Sequence, residues 1–503
     1  MQRLQTPEQA AQWLRERVSG CLRTDSKKIK PQDGFIAWPG ATYDARNFVP
    51  IALEKGAGAC LVEETGSAVF DWDKLNVPPD QVASYSGLPS ASGSIAASFY
   101  QHPSKEMDVI AITGTNGKTT CAWWLAHALE QRKIPSSIVG TLGMGRPEQL
   151  TYSGMTTPDP VLLQSHLREM VDEGVVCCVM EASSIGIAEH RLDGTQVKLA
   201  MFTNFSQDHL DYHKDMERYW QAKETLFDWP GIEVVVINID DPKGRWLAKK
   251  LEKNQTLQIW TFSALVQSAF EGLQHIQASE IQYSERGVQF ALKQGESSYD
   301  LETTMVGDYN VSNLTGVITC LCALGHCLED AVQACKHLPA VPGRMELLGA
   351  VGEPLVVVDF AHTPDAIEKV LHALKPLASL RGGELICIFG CGGERDKSKR
   401  PLMAAAAETL AQHIVLTSDN PRNEDPEAIL RDMQKGLQTP QSARIVCDRA
   451  QAIAITIEQA NKSDVVLIAG KGHEFYQEIK GVKLPFRDQW HAQQALQKRS
   501  LHV

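Results

Sequence analysis

Residues 108–120 read DVIAITGTNGKTT, an apolar run followed by a glycine-rich turn and the start of a helical pattern. The order of strand, glycine turn and helix is that of a phosphate-binding loop, in which backbone N–H groups and the helix N-terminus hold phosphate oxygens. Lys118 would then reach the terminal phosphates, and Thr119 could bind Mg²⁺. The loop is compressed, because the Walker pattern has a glycine five residues before Gly117 and this chain has Ile112 there. The alternative is a glycine-rich turn followed by a surface lysine.

Apolar runs of strand length recur along the chain and alternate with helical stretches. They lie at residues 175–180, 198–203, 233–239, 355–360, 384–390, 413–419 and 465–470. Strands that alternate with helices form βαβ units, so we predict an α/β fold with parallel sheets. The 503 residues allow about three domains. We place an N-terminal α/β domain at 1–104, a central phosphate-loop domain at 105–342 and a C-terminal Rossmann-like domain at 343–503.

Composition excludes several classes of protein. The chain has 49 Lys and Arg against 61 Asp and Glu, a formal net charge of −12, which argues against a nucleic-acid binder. No apolar run approaches the roughly 18 residues that a membrane span needs. The N-terminal stretch 1–20 has neither the apolar segment nor the cleavage site of a secretory signal. The 12 cysteines form no Cys-x-x-Cys pair, so we expect free thiols in a reducing cytoplasm rather than disulfides or zinc.

Polar side chains follow two of the predicted strands. Glu181 comes directly after the run 175–180, and Asn204 and His209 follow the run 198–203. Ligands of open α/β sheets bind outside the carboxyl ends of strands, so these residues could meet Mg²⁺ and phosphate. Each has a structural alternative, since a glutamate after a strand often caps the next helix. His209 and His213 could also be two zinc ligands, but no His-Glu-x-x-His motif or third ligand accompanies them.

Several motifs, taken together, carry a family resemblance. They are GTNGKTT (114–120), MEASS (180–184), FTNFSQDHLDYH (202–213), YWQAKETLF (219–227), GDYNVSN (307–313), PGRME (342–346), DFAHTPDA (359–366), FGCGGERDKSKRP (389–401), DNPR (419–422) and AGKGHE (469–474). In this order, over essentially the whole chain, they resemble the Mur ligases, the ATP-dependent amide-forming enzymes of peptidoglycan precursor synthesis. Within that family they are most similar to the type that extends UDP-N-acetylmuramoyl-L-alanyl-D-glutamate.

The resemblance implies an ATP and magnesium site. It assigns ATP binding to Gly114, Thr115, Asn116, Gly117, Lys118, Thr119, Thr120, Asn310, Asn313, Arg344, Asp359 and His362. It assigns catalysis to Lys118, Glu181, His209 and Lys223, and Mg²⁺ binding to Thr119, Glu181, His209 and Lys223, the last as a carbamate formed with CO₂. An ammonium cannot bind Mg²⁺, whereas a carbamate is an anion that can. From the residues alone, Lys223 would be an ordinary lysine on a helix surface.

The resemblance also implies a UDP-sugar site in the N-terminal domain, where TDSK (24–27) precedes PQDGFIAWPGATYDARNFVPIA (31–52). The residues that would hold the UDP-sugar and the dipeptide are Ser26, Ala41, Thr42, Tyr43, Thr156, Thr157, Ser183, Glu189 and Arg191. The chain departs from the commoner family residues at five positions. They are Lys27 for Arg, Ala45 for Gly, Ile185 for His, Glu189 for Gln and Gln207 for Arg.

The motif Asp419-Asn420-Pro421-Arg422 bears on the amino acid that is added. It lies just past an apolar run, at a ligand-facing strand end, where an arginine can clamp a carboxylate with two parallel hydrogen bonds. Meso-diaminopimelate has a distal carboxylate for Arg422, whereas L-lysine would leave the arginine unpaired, which can cost about 10⁴-fold in discrimination. The family marks diaminopimelate enzymes with this motif. The residues that would bind this substrate are Arg395, Asp419, Asn420, Pro421, Arg422, Gly470 and Glu474.

The expected activity is therefore ATP-dependent addition of meso-diaminopimelate to the D-glutamate, through an acyl phosphate. The expected protein is a cytoplasmic monomer that binds small molecules and neither nucleic acid nor membrane. Alternatives are the same ligase with L-lysine, or a folylpolyglutamate-type or D-Ala-D-Ala-adding ligase of this fold. A dinucleotide-binding oxidoreductase is a further alternative through Gly390 to Gly393, but Arg395 stands where a third glycine is needed. A regulator without turnover is opposed by the joint presence of Lys118, Glu181, His209 and Lys223.

Overall fold

The computed structural model describes residues 1–40, 43–70, 72, 78–265, 270–284 and 287–500. The chain divides into two compact units. The first contains Met1–Ile276 and Asn313–Cys335, and the second contains Gln277–Ser312 and the chain from Lys336 onward. No helix in the described ranges is long and apolar enough to cross a membrane.

The first unit begins with a five-stranded parallel sheet of order β1-β5-β4-β3-β2. Its elements are β1 (Gln2–Leu4), α1 (Pro7–Arg15), β2 (Leu22–Arg23), β3 (Gly34–Ala37), α2 (Val49–Glu54), β4 (Ala59–Glu63), β5 (Val82–Tyr85) and α3 (Leu88–Phe99). Alternate strand residues point to opposite faces, so each face has its own core. Ile36 and Leu61 pack on the side of α1 and α3, whereas Phe35 and Val62 pack on the side of α2.

A second sheet of the first unit follows. Its elements are β6 (Asp108–Thr113), α4 (Lys118–Gln131), β7 (Ser136–Gly140), β8 (Gly143–Arg146), β9 (Gln149–Thr151), α5 (Pro160–Asp172), β10 (Cys177–Glu181), α6 (Ser184–Ala188), β11 (Leu199–Phe202), α7 (Leu210–His213), α8 (Met216–Glu224), β12 (Val234–Asn238), α9 (Pro242–Leu251) and β13 (Gln258–Ser263). The order β13-β12-β11-β6-β10-β7 is parallel throughout, and β8 and β9 extend it antiparallel.

The position of β6 decides where ligands can bind in this sheet. The chain runs from β6 to β7 and β10 on one side and then returns to β11 on the other. A reversal of strand order opens a crevice at the carboxyl ends of the strands. Because Ile112 pairs with Glu181 and Thr113 pairs with Phe202, the ends of β6, β10 and β11 meet at one edge.

Three antiparallel strands and two helices connect to the rest of the chain: β14 (Gln274–Ser284), β15 (Gly287–Gln294), β16 (Ser297–Thr303), α10 (Asp308–Ala323) and α11 (Leu328–Cys335). The remaining elements are β17 (Glu346–Leu348), β18 (Leu355–Asp359), α12 (Pro364–Arg381), β19 (Leu385–Phe389), α13 (Lys399–Leu410), β20 (His413–Leu416), α14 (Pro426–Gln434), β21 (Ala443–Ile445), α15 (Arg449–Gln459), β22 (Val465–Ala469), β23 (Tyr476–Ile479), β24 (Val482–Pro485) and α16 (Asp488–Ser500).

These last elements form a six-stranded sheet of order β17-β18-β22-β19-β20-β21, parallel except at β17, and a β23–β24 hairpin. Helices cover both faces, since α12, α13 and α14 pack on one core and α15 and α16 on the other. The α/β class with parallel sheets that the sequence predicts is confirmed. Thr363 caps the N-terminus of α12, because its hydroxyl accepts the Ala366 N–H.

Candidate functional site

The glycine-rich turn after β6 has the backbone shape of a phosphate-binding loop. Gly114 and Gly117 have φ values of +147° and +86°, a region that glycine adopts without cost. A Cβ on Gly114 would overlap Thr203 Oγ1, and one on Gly117 would overlap Asn313 Oδ1. Lys118 opens α4 and folds back over the turn, where its Nζ donates to the Gly114 and Thr115 carbonyls at 2.8 and 2.9 Å.

The segment after β11 holds this loop in place. Asn204 Oδ1 accepts the Asn116 N–H at 2.9 Å, and its Nδ2 donates to the Asn116 carbonyl at 3.1 Å. Thr203 Oγ1 donates to the same carbonyl at 2.6 Å. Thr115 Oγ1 donates to the Ser206 carbonyl at 3.1 Å. Asn204 therefore lies beside the phosphate loop, as predicted. Both the oxygen and the nitrogen of its side-chain amide bind the backbone of Asn116.

Glu181, the last residue of β10, is the centre of a buried polar cluster. Its Oε2 accepts the Thr119 hydroxyl at 2.9 Å, and its Oε1 accepts the Thr141 N–H at 2.8 Å. Gly140 leaves room for this carboxylate, since a Cβ there would overlap Oε1. The side chain does not cap α6, because Ser183 does so through its bond to the Gly186 N–H. The alternative of a purely capping role for Glu181 is therefore wrong.

Lys223, on α8, lies at the back of the phosphate loop. It is only 1% exposed, and its Nζ donates to the Gly114 carbonyl at 2.7 Å. The Nζ also lies 4.6 Å from the centre of the Tyr219 ring. Burial first, and the Lys118 charge second, lower the pKa of Lys223 well below its usual value, with Asp208 opposing. The view of Lys223 as an ordinary surface lysine is thus wrong: it is a buried amine beside the loop.

His209 precedes α7 and has a left-handed backbone, with φ at +52°. Burial, and then the nearby Lys118 and Lys223, lower its pKa, against the opposing charges of Asp208 and Asp211. A neutral imidazole is the form that binds metals. His213, its possible zinc partner, instead hydrogen-bonds through Nε2 to Ser184 Oγ at 3.0 Å. Within the described residues, no three or more His, Cys, Asp or Glu side chains are grouped to hold a metal ion.

The residues expected to hold the dipeptide continue outward from Glu181. Thr157 Oγ1 donates to the Glu181 carbonyl at 2.7 Å and lies 3.0 Å from Ser183 Oγ. The Thr156 hydroxyl lies 3.0 Å from Thr141 Oγ1. Arg191 donates through Nη1 to the Thr157 carbonyl at 2.8 Å, and its remaining nitrogens contact Glu189. The structure therefore brings Thr156, Thr157, Ser183, Glu189 and Arg191 together.

Only some of the residues expected to contact the UDP-sugar lie in the described part of the N-terminal region. Ser26 begins a short 3₁₀ turn in which Asp25 accepts the Lys27 N–H, and the Ser26 carbonyl accepts Lys55 Nζ at 2.8 Å. Tyr43 is 65% exposed, with its ring edge-on to Phe48. Ala41 and Thr42 lie outside the described residues.

The other residues expected at the nucleotide divide between the two units. Asn313 lies beside Gly117 in the first unit, and Asn310, in the second, donates through Nδ2 to the Val306 carbonyl at 2.8 Å. Three further residues, Arg344, Asp359 and His362, belong to the second unit.

Asp359 ends β18 and organises the segment around it. Its carboxylate accepts the N–H groups of Met345 and Ala361, both at 2.8 Å. Burial raises the pKa of Asp359, against the Arg344 charge and these two hydrogen bonds. The Arg344 guanidinium lies 4.4 Å from the centre of the Phe360 ring. The carbonyl of His362 accepts Lys399 Nζ at 2.9 Å.

The motif after β20 forms a second buried polar cluster. Asn420 Nδ2 donates to Glu474 Oε2 at 2.8 Å. Lys471 donates through Nζ to Asn420 Oδ1 at 3.0 Å and to Glu474 Oε2 at 2.9 Å. Burial alone would raise the pKa of Asp419, but Lys471, Arg449 and the Asn420 N–H together hold it below its usual value. Gly470 faces this carboxylate, since a Cβ there would lie 2.7 Å from Asp419 Oδ2.

Arg422 follows this cluster, with φ at +51°. Its Nη1 donates to the Gly393 carbonyl at 2.6 Å, and its Nε lies 3.5 Å from Glu478 Oε2. Pro421 also lies at this turn, because a Cβ on Gly393 would overlap its carbonyl oxygen. Arg395 is exposed, and both it and Arg422 border Gly392. The structure thus brings all seven residues expected at the acceptor amino acid to one edge of the second unit's sheet.

Sequence reasoning missed several residues of these clusters. Lys471 is completely buried and holds two of the predicted residues, and Thr141 donates to Glu181. The signal for Lys471 was a lysine separated by only Gly470 from the end of a fully apolar strand. Glu478 had no signal, because only the hairpin brings it to Arg422.

The chain is similar to known proteins over nearly its whole length. Residues 112–321 match the Mur ligase middle domain, and residues 343–472 match the Mur ligase glutamate ligase domain. The chain is 50% identical to the UDP-N-acetylmuramoyl-L-alanyl-D-glutamate--2,6-diaminopimelate ligase of Acidovorax sp. (strain JS42), covering 99% of this chain and 98% of that one. It is 44% identical to the protein of the same name from Janthinobacterium sp. (strain Marseille), covering 95% and 94%.

Among solved structures, one titled as a UDP-N-acetylmuramoyl-L-alanyl-D-glutamate--2,6-diaminopimelate ligase is 34% identical. It superimposes with a TM-score of 0.66 over 96% of this chain and 95% of that one. With two domain matches and relatives of this identity over nearly the full length, the chain belongs to the Mur ligase family.

Proposed function

We propose that this protein is an ATP-dependent ligase that adds meso-2,6-diaminopimelate to the D-glutamate of UDP-N-acetylmuramoyl-L-alanyl-D-glutamate. One observation carries the proposal: the phosphate loop, the Glu181 cluster and a buried, readily deprotonated Lys223 meet at one sheet edge. The full-length relatives named as diaminopimelate ligases support the substrate assignment.

The domain assignment is part of this proposal. Residues 1–104 bind the UDP-sugar, 105–342 bind ATP and 343–503 bind the amino acid. In the central domain, the loop from Gly114 to Thr120 holds the phosphates together with Asn310 and Asn313. Arg344, Asp359 and His362 of the C-terminal domain are further residues that we propose for nucleotide binding.

Three residues at the carboxyl ends of the central strands fit a magnesium ion. Thr119 supplies a hydroxyl, Glu181 a carboxylate and His209, after β11, an imidazole that its surroundings keep neutral. The hydroxyl and carboxylate oxygens are the hard donors that suit Mg²⁺, and the imidazole would add a ring nitrogen. Lys223 fits as well once carbamylated, because its lowered pKa leaves a neutral amine that can attack CO₂. When bound, Mg²⁺ would offset the charge on the phosphoryl oxygens.

The reaction has two steps. An oxygen of the D-glutamate γ-carboxylate attacks the γ-phosphorus of ATP, so that an acyl phosphate forms and ADP leaves. The Lys118 ammonium, which donates to the Gly114 and Thr115 carbonyls, can neutralise the charge on the transferring phosphoryl group once it turns away from these carbonyls. The amine of diaminopimelate then attacks the acyl carbon, and phosphate leaves as the amide forms. The amine loses one proton in this step.

The amino-acid site distinguishes the acceptor by its far end. Arg422 and Arg395 pair with carboxylates of diaminopimelate, while Asp419 and Glu474 face the distal ammonium. L-Lysine lacks the distal carboxylate and would give Arg422 no substrate partner, so that the arginine would keep only its contacts with the Gly393 carbonyl and Glu478. Because a site built for a polar group strongly rejects an analogue that lacks it, the enzyme selects diaminopimelate.

The cellular setting follows from this activity. The substrates are small molecules of peptidoglycan precursor synthesis, which takes place in the cytoplasm. We propose that the enzyme acts as a monomer.

The test is phosphate release with ATP, Mg²⁺, bicarbonate and UDP-N-acetylmuramoyl-L-alanyl-D-glutamate, with meso-diaminopimelate, L-lysine or no amino acid. Release only with diaminopimelate, with a tripeptide product by mass, is the expected result. Equal release with lysine would keep the ligase and refute the acceptor assignment. No release with any amino acid, from folded protein that binds ATP, would refute the proposal. A matched control is Arg422→Lys, which should lose preference for diaminopimelate while keeping the affinity for ATP.

A further inference from the structure

Arg191, a residue proposed to hold the dipeptide, is already occupied by a carboxylate of its own chain. Its Nε and Nη2 both donate to Glu189 Oε2, at 3.0 and 2.5 Å. Its Nη1 donates to the Thr157 carbonyl at 2.8 Å and contacts Met155 Sδ at 3.4 Å. All three guanidinium nitrogens therefore have partners within the protein.

The Arg191 contacts with Thr157 and those with Glu189 differ in whether a ligand could replace them. The bond to Thr157 ties the guanidinium to the cluster of Thr157, Ser183 and Glu181. The bonds to Glu189 instead occupy the Nε–Nη2 edge, one of the two edges at which a guanidinium can bind a carboxylate with two hydrogen bonds, and the Thr157 bond occupies Nη1 of the other edge. Glu189 is also the more exposed partner, at 40% against 21% for Arg191. A substrate carboxylate can therefore take this edge only if Glu189 leaves it.

We propose that Glu189 is an internal competitor of the substrate: it holds Arg191 until a carboxylate of the D-glutamate displaces it. This rests on the proposed function and makes Glu189 a positioning residue that acts through Arg191. The Arg191–Glu189 pair keeps the guanidinium in place before the substrate binds. Because this ion pair must break when the substrate binds, the affinity for the substrate is lower by the free energy of that pair. Anions that bind more weakly than Glu189 would then fail to displace it.

The surroundings of Glu189 give the displaced side chain a place to go. Tyr212 lies beside Glu189 and is 40% exposed. Burial is the largest cause that raises the pKa of the Tyr212 hydroxyl, and the negative charge of Glu189 is the second. The hydroxyl can donate to the displaced carboxylate, and solvent can reach the rest of it. The commoner glutamine at this position of the family has no charge to pair with Arg191, so the competition belongs to this chain's own residue.

The experiment compares Glu189→Ala and Glu189→Gln with the wild-type enzyme. It measures KM and, by calorimetry, the Kd for UDP-N-acetylmuramoyl-L-alanyl-D-glutamate. Competition predicts that both variants bind the substrate about fivefold more tightly, the upper end of what a partly exposed ion pair contributes, with the change carried by KM rather than kcat. A direct substrate contact by Glu189 predicts the opposite for Glu189→Ala, a weaker Kd. Weaker or unchanged binding by Glu189→Ala overturns the inference.

Two further arms show whether the effect passes through Arg191. In an Arg191→Met background, Glu189→Ala should change the Kd by less than about 1.5-fold, because non-additivity measures a direct coupling. The analogue with both D-glutamate carboxylates as amides should bind wild type and Glu189→Ala equally. Glu106→Gln, which breaks a surface pair with Arg168, is the control for loss of a negative charge. Failure of wild type to use the dipeptide at all would instead refute the proposed function.

Discussion

Two lysines of this protein are almost completely removed from solvent, and their partners differ. Lys223 is 1% exposed and donates to a carbonyl, that of Gly114. Lys471 is 0% exposed and donates to the carboxylate of Glu474 and to the amide oxygen of Asn420. Within the described part of the chain, Lys223 forms no ion pair with a carboxylate, whereas Lys471 does.

The difference teaches how a protein prepares one buried lysine for chemistry and uses another as structure. Burial disfavours the ammonium, and a nearby negative charge compensates most strongly. For Lys223, burial and the neighbouring Lys118 act together, and its pKa falls well below the usual value. A neutral amine is a nucleophile, so Lys223 can take up CO₂. Lys471 has its counter-charge at 2.9 Å and fixes the orientation of Asn420 and Glu474.

The largest expected effect is on activity, from Lys223→Arg. A guanidinium remains protonated and does not form a carbamate, so the substitution removes the reactive amine and puts a fixed cation in its place. We expect kcat for phosphate release to fall about 10²–10³-fold, the range for loss of one group that stabilises developing charge. The thermal midpoint and ATP affinity of the variant show whether the fold and the loop survive.

The comparison offers a control for this result. Removing dissolved CO₂ and bicarbonate should slow wild-type turnover reversibly and leave Lys223→Arg unchanged. If wild type were fully active without bicarbonate, or if Lys223→Arg kept more than a tenth of the activity, the reactive role of Lys223 would be wrong.

The next effect is on stability, from Lys471→Met. This change removes the buried cation that donates to the Glu474 carboxylate and the Asn420 amide oxygen, and among the described residues leaves them only the Asn420 Nδ2 and the Glu478 N–H as donors. Breaking a buried pair by removing one partner costs about 3–5 kcal/mol, and we expect a loss at the lower end because Glu474 is 21% exposed. Lys223→Met, which strands no carboxylate, should lose less. Urea unfolding of both variants measures the difference, and equal losses would contradict the structural role of Lys471.

The sequence predicts much of the fold because the signals are local. The loop from Gly114 to Thr120 lies between an apolar run and a helical pattern, and β6 occurs where that run is. The strands of the sheet in the first hundred residues were harder to predict from the sequence. Its strands β3, β4 and β5 span four or five residues and are buried on both faces, so they show no alternation to mark them.

The site was predictable wherever a motif places a residue at a strand end, as for Glu181 and Asp419. The burial of Lys223 was not, because a helix pattern shows spacing but not which sheet edge the helix covers. Arg191 and Glu189 are only two residues apart, but the pairing of Arg422 with Glu478 depends on tertiary structure. Such contacts between side chains of different segments have no period in the sequence.

The smallest expected effect is a pH dependence of stability that belongs to Lys223 alone. In the unfolded chain its pKa is about 10.4, whereas in the folded protein it is lowered well below that. Between these two values the unfolded chain holds a proton that the folded protein does not. Raising the pH within that window therefore stabilises the fold, by up to about 1.4 kcal/mol per pH unit for one group.

The measurement is the free energy of unfolding of wild type minus that of Lys223→Met, from pH 7 to 9 in CO₂-free buffer. We expect this difference to rise with pH. Lys198→Met is the matched control, because the hydrogen bond to Asp108 raises the pKa of Lys198, so it keeps its proton in both states and its difference should stay flat. A flat line for Lys223 as well would mean that the folded protein holds an ammonium there. Lys223 would then resemble Lys471, and its readiness for CO₂ would have to come from the bound substrates.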